Sequence, residues 1–364
     1  MSNIIPAYMA SSPEDYKKLN MTRKIEPWED ALRTTGKKGD YEWWYFDARL
    51  NGGTSLVIVF YTAPFTALEA GFHPSISFTL TRQDGSMVSD LCDWKGNDFQ
   101  FAKDHCKAQI GPNLFEGDLH TYHIHYENGG ILADVDLTGN IPSWRQETGH
   151  IQFGEDKYFA WLPSVPEGHV KATITAEGKT EQYEGSGYHD HNWGNTGMYT
   201  LMHHWYWGRA KIGEYQAITS YITAQKQYSY KHFTVFLLAK NGTIVCDESN
   251  KVTYTQMNLD YNEKTHKHFY KDIAYDYRNG NEHYRVSYSQ EKVIDEHFLL
   301  DAMDISKEKR MALQQGMKQA GLDPSYLRLT GTAKVEKFEN DALVETQEAP
   351  ALWEMMYFGE DADV

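Results

Sequence analysis

Residues 40–61 read DYEWWYFDARLNGGTSLVIVFY, two runs of aromatic and β-branched residues joined by the turn-forming triplet Asn51-Gly52-Gly53. Such runs favour strands, and an Asn-Gly pair between two of them is a strong hairpin signal. Similar runs and turn pairs recur along the chain, so the sequence predicts an all-β protein of the barrel or sandwich type. The clearest further strands are predicted at Ser75–Arg82, His120–Tyr126, Tyr199–Ala210, Phe233–Ala239 and Glu282–Tyr288.

One late helix is predicted at Ile305–Ala320. Asp304 can cap its start, and Met311, Leu313 and Met317 give it an incomplete apolar stripe. This segment is therefore interpreted as a helix inserted into a β domain.

The length of 364 residues predicts two domains, at a typical size of about 100 to 200 residues each. We place them at residues 1–185 and 186–364. The first is expected to begin with an irregular lead-in over residues 1–38, and a long irregular connection is predicted over Pro142–Pro166.

Composition narrows the classes of partner and compartment. The formal charge is 35 minus 51, or -16, without a basic stripe, which argues against nucleic acid or an anionic membrane as the main partner. The strongest apolar run, Ser55–Tyr61, is too short for a membrane span, and the first residues lack a secretory pattern. Three cysteines without a disulfide or CxxC pattern predict a reducing, cytoplasmic setting.

The first strand carries a carboxylate among indoles, because alternation places Glu42, Trp44 and Phe46 on one face. Glu42 could pair with a basic residue while the indoles fill the core. Alternatively, a carboxyl held against aromatic rings has a raised pKa and can donate a proton. Tyr45, on the other face, is a candidate hydrogen-bond donor to a ligand.

The densest set of polar side chains is GYHDHNWG at residues 187–194. In a strand its two histidines and its tryptophan share one face, and the aspartate and asparagine lie on the other. Asp190 and His191 are predicted as a proton-handling pair, with Tyr188 and Trp193 as substrate contacts. The alternative is a buried polar network that only ties two domains together.

A third motif is MHHWYWGR at residues 202–209, also strand-like. His204 is predicted as a further catalytic donor, and Trp205, Tyr206 and Trp207 as the wall of an apolar pocket. Core packing explains these aromatic residues equally well.

Metal binding has to be weighed because the chain has 16 histidines. Alternate histidines on a strand, such as His123 and His125, can ligate zinc. Since no HExxH motif occurs and no spacing commits three ligands to one ion, we predict neither a metal nor another cofactor. The sequence also lacks the GxGxxG, P-loop and GxSxG motifs of dinucleotide, nucleoside-triphosphate and hydrolase sites.

The motif at residues 42–45 (EWWY), followed by YHDHNWG at 188–194, resembles the family of bacterial hydroxyneurosporene synthases (carotenoid 1,2-hydratases) and AttH-like proteins. Kievitone hydratase and the lipocalin-like fungal Diels-Alderases look like more distant relatives. Similar segments at 326–331 and 353–354 extend the resemblance over residues 35–360. It implies two tandem lipocalin-like β domains, a ligand site in or between them, and no cofactor. It also implies functional roles for His191 and Trp193, the histidine and tryptophan of the DHNWG element.

Three functions follow as hypotheses. The first is a cofactor-independent lyase or hydratase that adds water to a carbon–carbon double bond or removes water to form one. Its substrate would be a hydrophobic isoprenoid or a prenylated or phenolic molecule. Glu42 would be a second acid and Trp44 would lie in the pocket wall. The second is an isomerase or cyclase, with chalcone-isomerase-like or Diels-Alderase-like ring closure. The third is a non-catalytic lipocalin-like carrier. In each case the partner is a hydrophobic small molecule, and the sequence leaves the oligomeric state open.

Overall fold

The computed structural model describes residues 5–63, 68, 71–302 and 306–362. It divides into two compact units, Met9–Gly197 and Met198–Val364 together with Met1–Tyr8. We call them the N-terminal and the C-terminal unit. The boundary predicted between residues 185 and 186 lies inside a strand that runs on to Gly194.

A single antiparallel sheet dominates the N-terminal unit. Its strands follow the order β5-β4-β3-β2-β13-β12-β10-β9-β8-β7-β6, and β11 pairs beside β12. Phe78 on β4 stacks on Tyr126 on β9 at 5.0 Å although these strands lie far apart in that order, so the sheet curls around one core. The elements are β1 (Ala7–Met9), α1 (Pro13–Lys18), β2 (Tyr41–Leu50), β3 (Thr54–Ala63), β4 (Ser75–Thr81), β5 (Met87–Asp93), β6 (Phe99–Phe101), β7 (Cys106–Ile110), β8 (Asn113–Gly117), β9 (Thr121–Asn128), β10 (Ile131–Gly139), β11 (His150–Phe153), β12 (Lys157–Ala176) and β13 (Lys179–Gly194).

A second antiparallel sheet forms the C-terminal unit, in the order β17-β16-β15-β14-β22-β21-β20-β19-β18. It also curls, since Phe236 on β16 stacks on Tyr277 on β19 at 6.1 Å. The elements are β14 (Met202–Ile212), β15 (Tyr215–Ala224), β16 (His232–Lys240), β17 (Thr243–Cys246), β18 (Val252–Asn262), β19 (Lys267–Asn279), β20 (Glu282–Phe298), α2 (Lys307–Gln319), β21 (Leu322–Glu339) and β22 (Ala342–Gly359).

The predicted all-β class and the hairpin at residues 40–61 are confirmed, with Trp44 opposite Phe60 across β2 and β3. Each predicted strand is present, most with ends moved by at most a few residues, but the one predicted at Glu282–Tyr288 continues to Phe298. The strand predicted from Tyr199 starts later, at Met202, because Met198–Thr200 form a 3₁₀ turn.

The connection predicted at Pro142–Pro166 is wrong, because β11 and much of β12 lie there. Pro163 and Pro166 sit where the pairing of β12 with β13 shifts register. A bulge tolerates proline because that residue's missing N–H is not needed in the ladder.

The late helix is confirmed as α2, but its surroundings differ from the prediction. Ser306 caps it, with the hydroxyl accepting from the backbone N–H of Lys309 at 3.3 Å, and Asp304 lies outside the described residues. Met311 and Leu313 are exposed, whereas Met317 is partly buried beside Leu300 and Leu322, so only one residue of the predicted stripe packs inward. In the described part of the chain no helix is both long and apolar enough to cross a bilayer.

Candidate active site

The structure separates the predicted site residues into two groups. One lies on the paired strands β2 and β13 of the N-terminal unit, with His191 opposite Trp44 and Trp193 opposite Glu42. The other lies on β14 of the C-terminal unit. The first group is Glu42, Trp44, Tyr45, Tyr188, Asp190, His191 and Trp193, and the second is His204, Trp205, Tyr206 and Trp207.

Two carboxylates and two imidazoles meet on the core side of β2 and β13. We call Asp30, Glu42, His189 and His191 the inner network. The Nε2 atom of His191 lies 2.8 Å from Glu42 Oε1, and its Nδ1 atom lies 3.3 Å from Asp30 Oδ1. The Nε2 atom of His189 lies 3.2 Å from Asp30 Oδ2. All four side chains are fully buried.

Asp30 enters this network from the 3₁₀ turn Pro27–Asp30, outside both predicted motifs. The indole N–H of Trp44 donates to the backbone carbonyl of Asp30 at 2.9 Å, and the hydroxyl of Tyr122 donates to its Oδ2 atom at 2.5 Å. Sequence reasoning missed Asp30 because it lies in the irregular lead-in. The acidic pair after Pro27 was its only local signal.

The ionisation of the inner network follows from its pairing. Burial acts to lower the pKa of His191, but the carboxylates of Asp30 and Glu42 outweigh it and raise that pKa above its usual value. Burial acts to raise the pKa of Asp30, yet His189 and His191 hold it well below the usual range. The two carboxylates therefore favour the protonated form of His191, and its ring stacks on that of Trp44 at 4.8 Å.

Both carboxylate oxygens of Glu42 accept hydrogen bonds. Besides His191, its carboxylate accepts from the backbone N–H of Arg33 at 2.7 Å, and from the N–H and hydroxyl of Thr34 at 2.8 and 2.6 Å. Four donors stabilise the ionised form. The geometry thus suits a fixed counter-ion better than the second proton donor that the sequence predicted.

Asp190 lies on the opposite face of β13, at the centre of what we call the outer cluster: Asp190, Trp161, Tyr188 and Asn192. Its Oδ2 atom accepts from the indole N–H of Trp161 at 2.7 Å and from the Tyr188 hydroxyl at 2.8 Å. Its Oδ1 atom accepts from the Asn192 amide at 2.8 Å. Burial raises the pKa of Asp190 to about 6, against the opposing hydrogen bonds from Tyr188 and Trp161.

The predicted pair of Asp190 with His191 is therefore not formed. Successive side chains of a strand point to opposite faces, and these two residues have separate partners. Trp161, which sequence reasoning left in a loop, joins the outer cluster because β12 pairs it with Asn192. Tyr45 contacts the ring of Tyr188 edge-on at 6.3 Å.

In the C-terminal unit His204 belongs to a chain of hydrogen bonds. The Nε2–H of His203 donates to the Glu360 carbonyl at 3.0 Å, so His203 Nδ1 accepts from His204 Nδ1 at 2.8 Å. The remaining nitrogen of His204 accepts from the Thr223 hydroxyl at 3.3 Å. Burial, with His203 and His232 nearby, lowers the pKa of His204 to about 3. Both ring nitrogens are thus engaged within the unit.

The other predicted residues of β14 divide between core and surface. Tyr206 is buried, and its oxygen accepts from the backbone N–H of Tyr270 at 2.8 Å. Trp205 and Trp207 are only partly buried. A cavity of about 20 Å³ beside His204 and Tyr206 has room for a molecule of about the size of water.

One group among the described residues could hold a metal ion. Single donor atoms of Asp30, Cys106 and His189 lie within 4.8 Å of one another, all buried. Burial and the nearby Asp30 carboxylate raise the pKa of the Cys106 thiol well above its usual value, so without a cation this thiol keeps its proton.

Comparisons of sequence give a family and several relatives. A family model described as Diels-Alderase-like matches residues 133–317. The quinolone epoxide rearrangement protein penF of Penicillium thymicola is 23% identical over 237 residues, which cover 56% of this chain and 61% of the relative. The hydroxyneurosporene dehydrogenase of Chlorobaculum tepidum is 26% identical over 223 residues, covering 50% and 56%. The chain thus spans less than two thirds of either relative.

Comparisons of structure extend over nearly the whole chain. A protein from Nitrosomonas europaea assigned as AttH superposes with a TM-score of 0.56 at 12% identity, covering 93% of this chain and 98% of that one. Kievitone hydratase from Nectria haematococca superposes with a TM-score of 0.53 at 12% identity, covering 92% and 93%. At such identities the likeness concerns the fold.

Proposed function

Because the chain belongs to the Diels-Alderase-like family, we propose that it is an enzyme that transfers a proton to a hydrophobic isoprenoid or phenolic molecule and adds water to, or removes it from, a carbon–carbon double bond. Hydratases and rearrangement proteins are among its relatives and structural neighbours, which supports an enzyme of this general kind.

The outer cluster is the observation that carries the proposal. Asp190 is 6% exposed, and all three of its hydrogen-bond partners are neutral donors. Burial favours the protonated acid and outweighs the opposing charge effect of His189, and several hydrogen bonds hold the carboxyl in one orientation. The indole of Trp161, bonded to the same carboxyl, can stabilise a developing cation through its ring face.

In the proposed hydration, the Asp190 hydroxyl proton passes to one alkene carbon and leaves a cation on the other. The oxygen of a water molecule bonds to that cation, and one of the water protons returns to the Asp190 carboxylate. The product gains one water, and the acid is regenerated. Dehydration follows the same steps in reverse.

A second candidate is an isomerase or cyclase, which the Diels-Alderase-like family model and the rearrangement protein penF favour. Here Asp190 would donate to an epoxide or carbonyl oxygen, and a bond within the substrate would form instead of a bond to water. The product then keeps the mass of the substrate.

Product mass in heavy-oxygen water separates these functions. The full chain is incubated with prenylated phenols, chalcones, terpenoid alkenes and aryl epoxides, beside Asp190→Asn and the exposed control Asp84→Asn. A labelled product one water heavier, formed by the native chain and the control but not by Asp190→Asn, supports the hydratase. An unlabelled product of unchanged mass supports the isomerase. A ligand that returns unchanged and binds Asp190→Asn equally well indicates the carrier and refutes both enzymes.

A further inference from the structure

We propose that Asp30, Cys106 and His189 form a buried site for a divalent transition metal ion of the zinc class. His191 Nδ1 lies outside this group of three but faces Asp30 Oδ1 at 3.3 Å, so a side-chain rotation would make it the fourth ligand. On binding, the Cys106 thiol proton is released to solvent, and the thiolate, the carboxylate and two neutral imidazoles hold the ion. This inference departs from the sequence-based prediction of no metal, and it is independent of the reaction proposed above.

The three ligands converge from separate parts of the N-terminal unit. Asp30 ends a 3₁₀ turn, Cys106 begins β7 and His189 lies in β13. Their donor atoms lie within 4.8 Å of one another, and each side chain is at most 1% exposed. Ligand atoms around a tetrahedral zinc ion lie about 3.3 to 3.8 Å apart, given its bond lengths, so small side-chain rotations complete the site. Carboxylate, thiolate and imidazole together are a donor set that zinc accepts.

Both imidazoles are already oriented in the way metal ligands usually are. His189 Nδ1 lies 2.8 Å from the backbone carbonyl of Tyr45, which can only accept, so this nitrogen carries the hydrogen and Nε2 faces Asp30. His191 Nε2 likewise faces the carboxylate of Glu42 at 2.8 Å, which directs Nδ1 towards Asp30. Carbonyl and carboxylate partners of this kind fix the tautomer of metal-binding histidines.

A second observation is independent of the donor set. Asp30 Oδ1 and His191 Nδ1 are both fully buried and lie 3.3 Å apart as an ion pair, but neither atom has a partner in hydrogen-bond geometry. Unpaired polar atoms of this kind are rare inside proteins, and two that face each other call for a physical explanation. A cation bound by both atoms would satisfy them together.

Charge balance leads to the same conclusion. The two carboxylates of the inner network need compensating positive charge at this depth, and a divalent ion can supply it. Cys106 distinguishes the metal-free state from the metal-bound state, because its thiol hydrogen-bonds to Asp30 in the metal-free network, whereas its thiolate would be a ligand of the ion. The protonated network is therefore the competing outcome of the test.

The experiment measures metal content in the untagged full chain, expressed in medium that contains zinc and separately in medium that contains cobalt. Cys106→Ser and His189→Gln are compared with Cys92→Ser, which replaces another buried cysteine of the same unit. We expect about one metal ion per chain in the native protein and in Cys92→Ser, and less than about a tenth of that in the two ligand variants. Cobalt-loaded native protein should show a thiolate-to-cobalt charge-transfer band.

Metal well below one equivalent in the folded native chain would overturn the proposal. Equal metal in all variants would do the same, since it would place the ion elsewhere. Should the ligand variants fail to fold, the cobalt spectrum of the native chain still decides, because a bound ion without a thiolate band rules out Cys106. None of these readouts depends on catalytic activity, so a failure of the proposed reaction leaves them unchanged.

Discussion

Replacing Glu42 with glutamine should destabilise the N-terminal unit by about 2 to 5 kcal/mol. The reason is geometric, because each carboxylate oxygen accepts two hydrogen bonds. Oε1 accepts from Arg33 N–H and His191, and Oε2 accepts from the N–H and the hydroxyl of Thr34. A carboxamide offers one oxygen and one NH₂ group, so two of the four donors must face another donor.

The size of the expected loss in unfolding free energy follows from the amide orientation that costs less. With the NH₂ group towards Thr34, the threonine hydroxyl can turn and accept, but the Thr34 backbone N–H is left unpaired at a cost of about 1 to 3 kcal/mol. The amide oxygen still accepts a hydrogen bond from His191. Because the amide is neutral, this hydrogen bond loses the extra strength that the carboxylate charge gave it, about 1 to 2 kcal/mol. The opposite orientation leaves both Arg33 N–H and His191 unpaired, and so costs more.

The assay is equilibrium unfolding of the full chain in urea, followed by tryptophan fluorescence. Glu116→Gln is the matched control, because Glu116 is partly exposed and pairs with Lys107 at 3.2 Å, so its loss should cost at most about 1 kcal/mol. A loss below about 1 kcal/mol for Glu42→Gln, no larger than the control, would refute the assignment of Glu42 as a buried counter-ion.

Three further outcomes are expected. Asp190→Asn should lower turnover of a confirmed substrate by about 10² to 10⁴-fold while far-ultraviolet circular dichroism stays unchanged, and retained turnover would remove Asp190 from the chemistry. The folded-state pKa of about 3 for His204 lies below its ordinary value of 6.5, so the unfolded chain takes up this proton first as pH falls. The contribution of His204 to the free energy of unfolding should therefore be fully present above about pH 6.5, and the free energy should fall by about a few kcal/mol towards pH 3. Urea unfolding midpoints measured at a series of pH values should show this slope in the native chain and a flatter slope in His204→Gln. Met311→Ala in α2 should change the unfolding free energy by less than about 0.5 kcal/mol, and a loss above about 1.5 kcal/mol would mean that this exposed side chain packs against a partner.

Local periodicity was enough to predict most of the fold and part of the candidate site. Alternation over residues 40–61 placed Glu42, Trp44 and Phe46 on one face, and all three are buried there. The same rule put Asp190 and His191 on opposite faces of β13, so the sequence already argued against their pairing. The late helix was readable from its pattern, but whether its apolar residues meet a core was not.

The sequence by itself determined most of the strands, the hairpin turns and which face of each strand a side chain occupies, because these follow from interactions between residues close along the chain. Only the tertiary structure decided that Asp30, Cys106 and His189 meet, and that Trp161 bonds to Asp190. Such contacts join residues from different strands and turns, and they depend on how a curled sheet brings distant segments together. No spacing along the chain encodes that distance, so the choice of partners for each buried charge is a property of the folded protein.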